Sequence, residues 1–183
     1  MRHFPWDPMP GAHLYVDEST AGDYLLMCAA ITSTDAPQMR STMRGLLLPG
    51  SRSLHMRKEH KRATIILNTV VDLDPRVAIF RAPKTTAALE ARRASIHALA
   101  ALARHLRSDR VVFDTIDSMV ARDRAWVIEG VHIAGAPTPP FSYHHLRRHE
   151  EPLLWIADVV GWAWARGGQH RREVERITHL VDL

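Results

Sequence analysis

The sequence predicts an α/β fold in which helices flank a mixed sheet. Three features predict it: two apolar runs joined by a hairpin-like turn at the start, a long amphipathic helix between two later strand-like segments, and alternation of helix and strand through the remainder.

Residues 1–12 hold three prolines and no long apolar core, so an extended arm is expected there and not a signal peptide. Leu14, Tyr15 and Val16 follow as a short buried strand that ends in Asp17 and Glu18, and the small and polar residues 21–23 turn the chain into a second apolar strand over 24–31. Residues 36–72 read as a helical insertion. Its first helix covers 38–48, opened by the helix-start residues 33–37 and stopped by Pro49-Gly50. A basic stretch, 57–62, leads into its second helix, marked by Ile65, Ile66, Leu67, Val70 and Val71.

After a turn at 72–75, residues 76–81 alternate as a strand does. The clearest helix of the chain comes next, with Leu89, Arg93, Ile96, Leu99, Ala103 and Leu106 recurring at helical spacing and Arg92, Arg104 and Arg107 toward its sides. Residues 110–114 form another strand that runs apolar and then ends in Asp114. Asp117 or Ser118 is placed to cap a helix reaching about Glu129, with Gly130 as its stop. An irregular, proline-rich stretch leads to a strand at 141–146, a polar turn at 147–151, and an apolar helix from Pro152 to Trp164 that stops at Gly167-Gly168. The tail, 169–183, is expected to hold a short amphipathic helix around 173–180.

At 183 residues, 46% of them hydrophobic and 24% charged, the chain has the make-up of one globular domain. A formal charge of +4 and twelve histidines favour an anionic partner. The lone Cys28 sits in the apolar second strand, reads as a small buried hydrophobe and cannot form an internal disulfide, so a cytoplasmic setting is expected. No apolar run approaches the roughly 18 residues that would span a bilayer.

The chemistry is concentrated in acids that interrupt apolar segments. Carboxylates are costly to bury, so Asp17, Asp114 and above all Asp158, a lone acid in an apolar helix, require a cation or several donors. An arginine such as Arg147 or Arg148 is one possible partner for Asp158. A hard divalent cation is another, because carboxylates at the matching ends of neighbouring parallel strands, with a third lowered from a covering helix, form the oxygen cluster that such ions prefer.

Tyr15-Val-Asp17-Glu18-Ser19, Val111-Val-Phe-Asp114 and Pro152-Leu-Leu-Trp-Ile-Ala-Asp158-Val-Val-Gly resemble, in this order, the motifs of the bacterial domain-of-unknown-function family numbered 3800. The resemblance spans roughly residues 14–166. It implies a ribonuclease H-like fold and a metal-dependent nuclease acting on RNA or DNA through Mg²⁺ or Mn²⁺. Under it, Asp17, Asp114 and Asp158 are the metal-binding and catalytic acids, Glu18 is a competing ligand, and Glu90 is the candidate for a further acid early in a helix. The insertion at 36–72 departs from the minimal layout.

His55 with Glu59 at helical spacing, and the group His144, His145 and His149, are candidate proton shuttles or substrate contacts, although solvated surface is the plainer reading of each. His55, Lys58, Arg62 and Arg93 are taken as substrate contacts among the basic residues 57–62, Arg92, Arg93, Arg147 and Arg148, which together suggest a phosphate-tracking surface. Trp155, Trp162 and Trp164 on the last apolar helix suggest core packing or a homo-oligomer contact, with Trp164 the most exposed of the three.

Overall fold

The computed structural model describes residues 4–183. Strand β1 (Ala12–Ser19) pairs antiparallel with β2 (Tyr24–Thr32), which pairs antiparallel with β3 (Arg76–Ala82). On its other side β1 runs parallel to β4 (Arg110–Asp114), and β4 parallel to β5 (Ser142–Leu146). A sixth strand, β6 (Thr178–Asp182), lies parallel to β3, so the order across the sheet is β5-β4-β1-β2-β3-β6. Only the β1–β2 hairpin and the β2–β3 pairing, whose strands are joined through α1 and α2, are antiparallel. The parallel members are reached through helical crossovers, as their geometry requires.

Helices cover both faces. On one lie α1 (Ala36–Gly45), α2 (Ala63–Asp72), α5 (Leu154–Arg166) and α6 (Gly168–Val174), packed with Tyr15, Met27, Ile79 and Val112. On the other lie α3 (Ala88–Leu106) and α4 (Val120–Ile133), packed with Leu14, Val16, Phe80 and Phe113. Strand residues alternate between these two cores, so neighbours in sequence serve opposite faces.

Four expectations are corrected. Residues 173–180 are not one helix: α6 ends at Val174, and 178–182 become β6, whose Leu180 and Val181 alternate between the two cores while its backbone satisfies the open edge of β3. Gly130 does not stop α4, which continues to Ile133. A Cβ at this position would come within 2.9 Å of His97 Cα, so the glycine is there to let α4 close on α3. Neither Asp117 nor Ser118 caps that helix, whose first turn is preceded by Met119 with no side-chain cap. Finally, α5 is not a free apolar face for a second copy of the chain. Leu154, Trp155, Ile156, Val159, Val160 and Trp164 are all buried within the molecule, and Trp164 is covered by the Arg171 guanidinium 4.1 Å above its ring. The arm is tied to α3 by the buried Phe4, by Trp6 and Met9 packed beside it, and by the Met9 N–H bond to the Leu106 carbonyl; residues 1–3 of the arm lie outside the described residues.

Candidate active site

Asp17 and Asp114 stand at the C-terminal ends of two neighbouring parallel strands, level with each other because Val16 is in register with Phe113. Alternation puts both on the α5 face: Tyr15 and Val112, two residues earlier on each strand, belong to that core. Helix α5 crosses above them and brings Asp158 down. Where this helix passes over β2, Gly161 leaves room for the end of the Met27 side chain, which a Cβ there would displace. The three acids named from sequence therefore meet in one place.

They meet around an arginine. Arg148, in the turn after β5, places Nη2 2.6 Å from Asp114 Oδ2 and 3.7 Å from Asp17 Oδ2, and Nη1 3.8 Å from Asp158 Oδ1. Asp158 also accepts from the Met56 backbone N–H at 2.9 Å and lies 3.2 Å from His55 Nδ1. Asp17 Oδ1 accepts from the Glu18 N–H at 2.9 Å. The start of the short 3-10 turn Met56–Lys58, with His55 just before it, thus delivers two groups from the insertion to the acidic cluster.

One guanidinium does not neutralise three carboxylates. Burial first, and then the charges of Asp158 and Asp114, push the Asp17 carboxyl up to about 7 despite the opposing pull of Arg148. Burial works against the charge on Arg148, yet its three acidic neighbours hold its pKa above the usual arginine value. The cluster opens onto a cleft of about 520 Å³, whose other walls include Ser19, Thr20, Arg57, Trp162 and Arg166.

The remaining sequence candidates go elsewhere. Glu18 does not join the cluster, because its neighbour Asp17 already faces α5 and alternation turns Glu18 to the other side. There its carboxylate accepts from Tyr24 Oη at 2.6 Å and Arg92 Nη1 at 2.5 Å. Glu90 is exposed in the first turn of α3, on the α3/α4 side of the sheet. Of the proposed substrate contacts, only His55 lines the cleft. Arg62 is bound to Glu59 and the Leu46 carbonyl, Lys58 is exposed on the insertion outside the cleft wall, and Arg93 pairs with Glu129 across α3 and α4. The basic residues therefore do not form one continuous surface. Arg57, Arg148 and Arg166 are the cations of the cleft.

Sequence reading also missed Asp123. It is fully buried in α4 and accepts a bidentate pair from Arg92 (Nε to Oδ1 2.8 Å, Nη2 to Oδ2 2.9 Å), with His145 Nε2 3.0 Å away. Its flanks, Arg122 and Arg124, give that stretch the look of a solvated face. The one signal available was Arg92 itself, toward the side of an amphipathic helix where a buried guanidinium would need a carboxylate partner.

The donor chemistry of the α5-side cluster suits a hard divalent cation: its three acids offer carboxylate oxygens and are short of positive charge, with the His55 imidazole beside them. As the side chains stand, with Arg148 among them, no group of three or more His, Cys, Asp or Glu among the described residues is arranged to hold an ion.

No known family profile matches the chain, and no curated protein matches it in sequence. A solved structure does match in fold: the PCNA:RNase HII complex from Archaeoglobus fulgidus contains a chain superposing with a TM-score of 0.55 at 13% identity, over 90% of this chain and 74% of that one. Among the described residues no helix is long and apolar enough to cross a membrane. With the sheet order and the helices on both faces, these observations give the chain a ribonuclease H-like fold.

Proposed function

We propose that this protein is a metal-dependent nuclease that hydrolyses phosphodiester bonds of RNA or DNA at the Asp17–Asp114–Asp158 cluster. The observation that carries this reading is the charge deficit: three carboxylates converge from two strand ends and a helix with one guanidinium between them. Burial first, and then the charges of Asp158 and Asp114, raise the Asp17 carboxyl to about 7. Structural ion pairs do not need this excess, whereas a site awaiting a doubly charged ion does. The order of the three motifs along the chain, which resembles the domain-of-unknown-function family numbered 3800, supports the same reading.

Asp17, Asp114 and Asp158 would hold Mg²⁺ or Mn²⁺. Two such ions supply an activated water and stabilise the leaving oxygen of the displaced phosphodiester. The chain's own residues do the rest. The Met56 N–H fixes the Asp158 carboxylate, and His55 stands beside it to orient or relay a proton. Arg57 and Arg166 flank the cleft and hold the anionic backbone, and Trp162 gives the wall an aromatic surface.

The test is Asp158→Asn, measured as Mn²⁺-dependent cleavage of labelled RNA and DNA oligonucleotides alongside circular dichroism. Loss of cleavage by at least about a thousandfold with an unchanged spectrum is expected. Full activity would overturn the assignment.

One observation favours a second reading, a catalytically inactive module that binds nucleic acid or a protein through the same cleft. Arg148 touches all three acids and could serve as their permanent counter-ion. Such a protein would show no rise in melting temperature with Mn²⁺, yet would bind oligonucleotides with a steep salt dependence.

A further inference from the structure

Arg148 is anchored at its main chain and unsettled at its side chain. Its carbonyl accepts from Trp155 Nε1 at 2.6 Å, which pins the turn to the base of α5. Its guanidinium makes one short contact, to Asp114, and stops at 3.7 and 3.8 Å from Asp17 and Asp158. None of these is the two-pronged match that Arg92 makes with Asp123.

His55 adds a conflict. Its Nδ1 lies 2.8 Å from Arg148 Nη1 and 3.2 Å from Asp158 Oδ1. The nitrogen can accept from the guanidinium or donate to the carboxylate, but not both. With Arg148 in place, one of these contacts is therefore unfavourable. With Arg148 withdrawn, Nδ1–H is free to orient Asp158. The guanidinium also has somewhere to go, since Arg148 is 26% exposed at its side chain and forms part of the cleft wall.

We propose that Arg148 is a positioning residue that gathers Asp17, Asp114 and Asp158 before metal arrives, and that its guanidinium leaves them in exchange for a divalent cation. This rests on the reading that the three carboxylates hold metal. The exchange swaps a single positive charge for a double one among three carboxylates, and it relieves the conflict at His55. A purely structural arginine and an exchanging one differ in a decisive way. Removing the first lowers both stability and metal affinity, whereas removing the second lowers metal-free stability and raises metal affinity.

The experiment is calorimetric titration of the full chain with Mn²⁺ at pH 8, with melting curves in the presence and absence of Mn²⁺, for wild type, R148Q and R148K. R148Q is expected to melt lower than wild type without metal and to bind Mn²⁺ about tenfold more tightly, with R148K between the two. If wild type binds and R148Q binds no more tightly, the exchange is overturned while the metal site stands. Binding by R148Q alone also overturns it, because the arginine of the natural chain would then be permanent. If neither binds, the metal reading itself fails, and the exchange with it. Should R148Q not fold, R148K carries the test through the same comparison, with about threefold tighter binding expected and unchanged affinity overturning the exchange.

Discussion

Two arginines sit among carboxylates on opposite faces of the same sheet end. Arg92, on the α3/α4 side, is 5% exposed at its side chain and makes a two-pronged bond to a fully buried Asp123 while also reaching Glu18. Tyr24 completes the shell around Glu18, and His145, stacked on Phe113 with centroids 5.1 Å apart, completes that around Asp123. Burial alone would raise the Asp123 carboxyl, but the Arg92 and His145 contacts bring it below the usual range. Arg148, on the α5 side, faces three acids with one short contact, and Asp17 is pushed up instead. The two sites use the same residue types. What differs is whether the donors match the acceptors in number and geometry, and the mismatched site is the one that opens to a cleft.

The sharpest way to break the comparison is to unbalance the matched site. Asp123→Asn leaves Arg92 buried without its bidentate partner and is expected to cost about 3–5 kcal/mol in urea unfolding. A cost under about 1 kcal/mol would mean that the Arg92 cluster is as loosely matched as the other.

The converse change should stabilise. Because the folded pKa of Asp17 lies above its unfolded value, its protonated form favours the native state, and that contribution is lost as pH rises from about 4 through about 7. Asp17→Asn removes the buried charge, so it is expected to be more stable than wild type at pH 8 by about 2–4 kcal/mol and nearly equal to it at pH 4. Parallel unfolding curves at the two pH values measure this. A destabilised Asp17→Asn at pH 8 would place the residue in the structural class.

The smallest effect is expected outside both clusters. Arg93 is half exposed and pairs with Glu129 on the surface of α3 and α4. Arg93→Ala should shift the melting temperature by no more than about 1 °C and leave oligonucleotide affinity unchanged, as measured by fluorescence anisotropy.

Much of this arrangement was legible in the sequence because burial of charge leaves a mark. Asp17 and Asp114 each end an apolar strand, and Asp158 interrupts an apolar helix, so all three stand out in the sequence. The strand, strand, insertion, strand and helix order also read correctly, since hydrophobic period separates these elements well. What could not be read was partnership. Glu18 looked equivalent to Asp17 until strand alternation, fixed by pairing with β2 and β4, sent it to Arg92. Asp123 hid between two arginines in a helix of polar appearance, and Arg148 looked like one more residue of a basic turn. β6 was mistaken for helix because a five-residue edge strand of Thr, His, Leu, Val and Asp owes its form to the neighbouring β3, not to its own pattern.

The adjacency of Asp17 and Glu18 has a consequence for how this chain can change in length. The two acids address different compartments solely because they occupy successive positions on β1, so inserting one residue within 13–16 would carry each acid one step along the strand, Asp17 into the place of Glu18 on the Arg92 side and Glu18 onto the cleft side. The turn at 20–23, exposed at all four residues, carries no such constraint. Homologous chains are therefore expected to vary in length at the turn and to keep a constant count along the strand, the spacing acting as an address that no compensating side chain can rewrite.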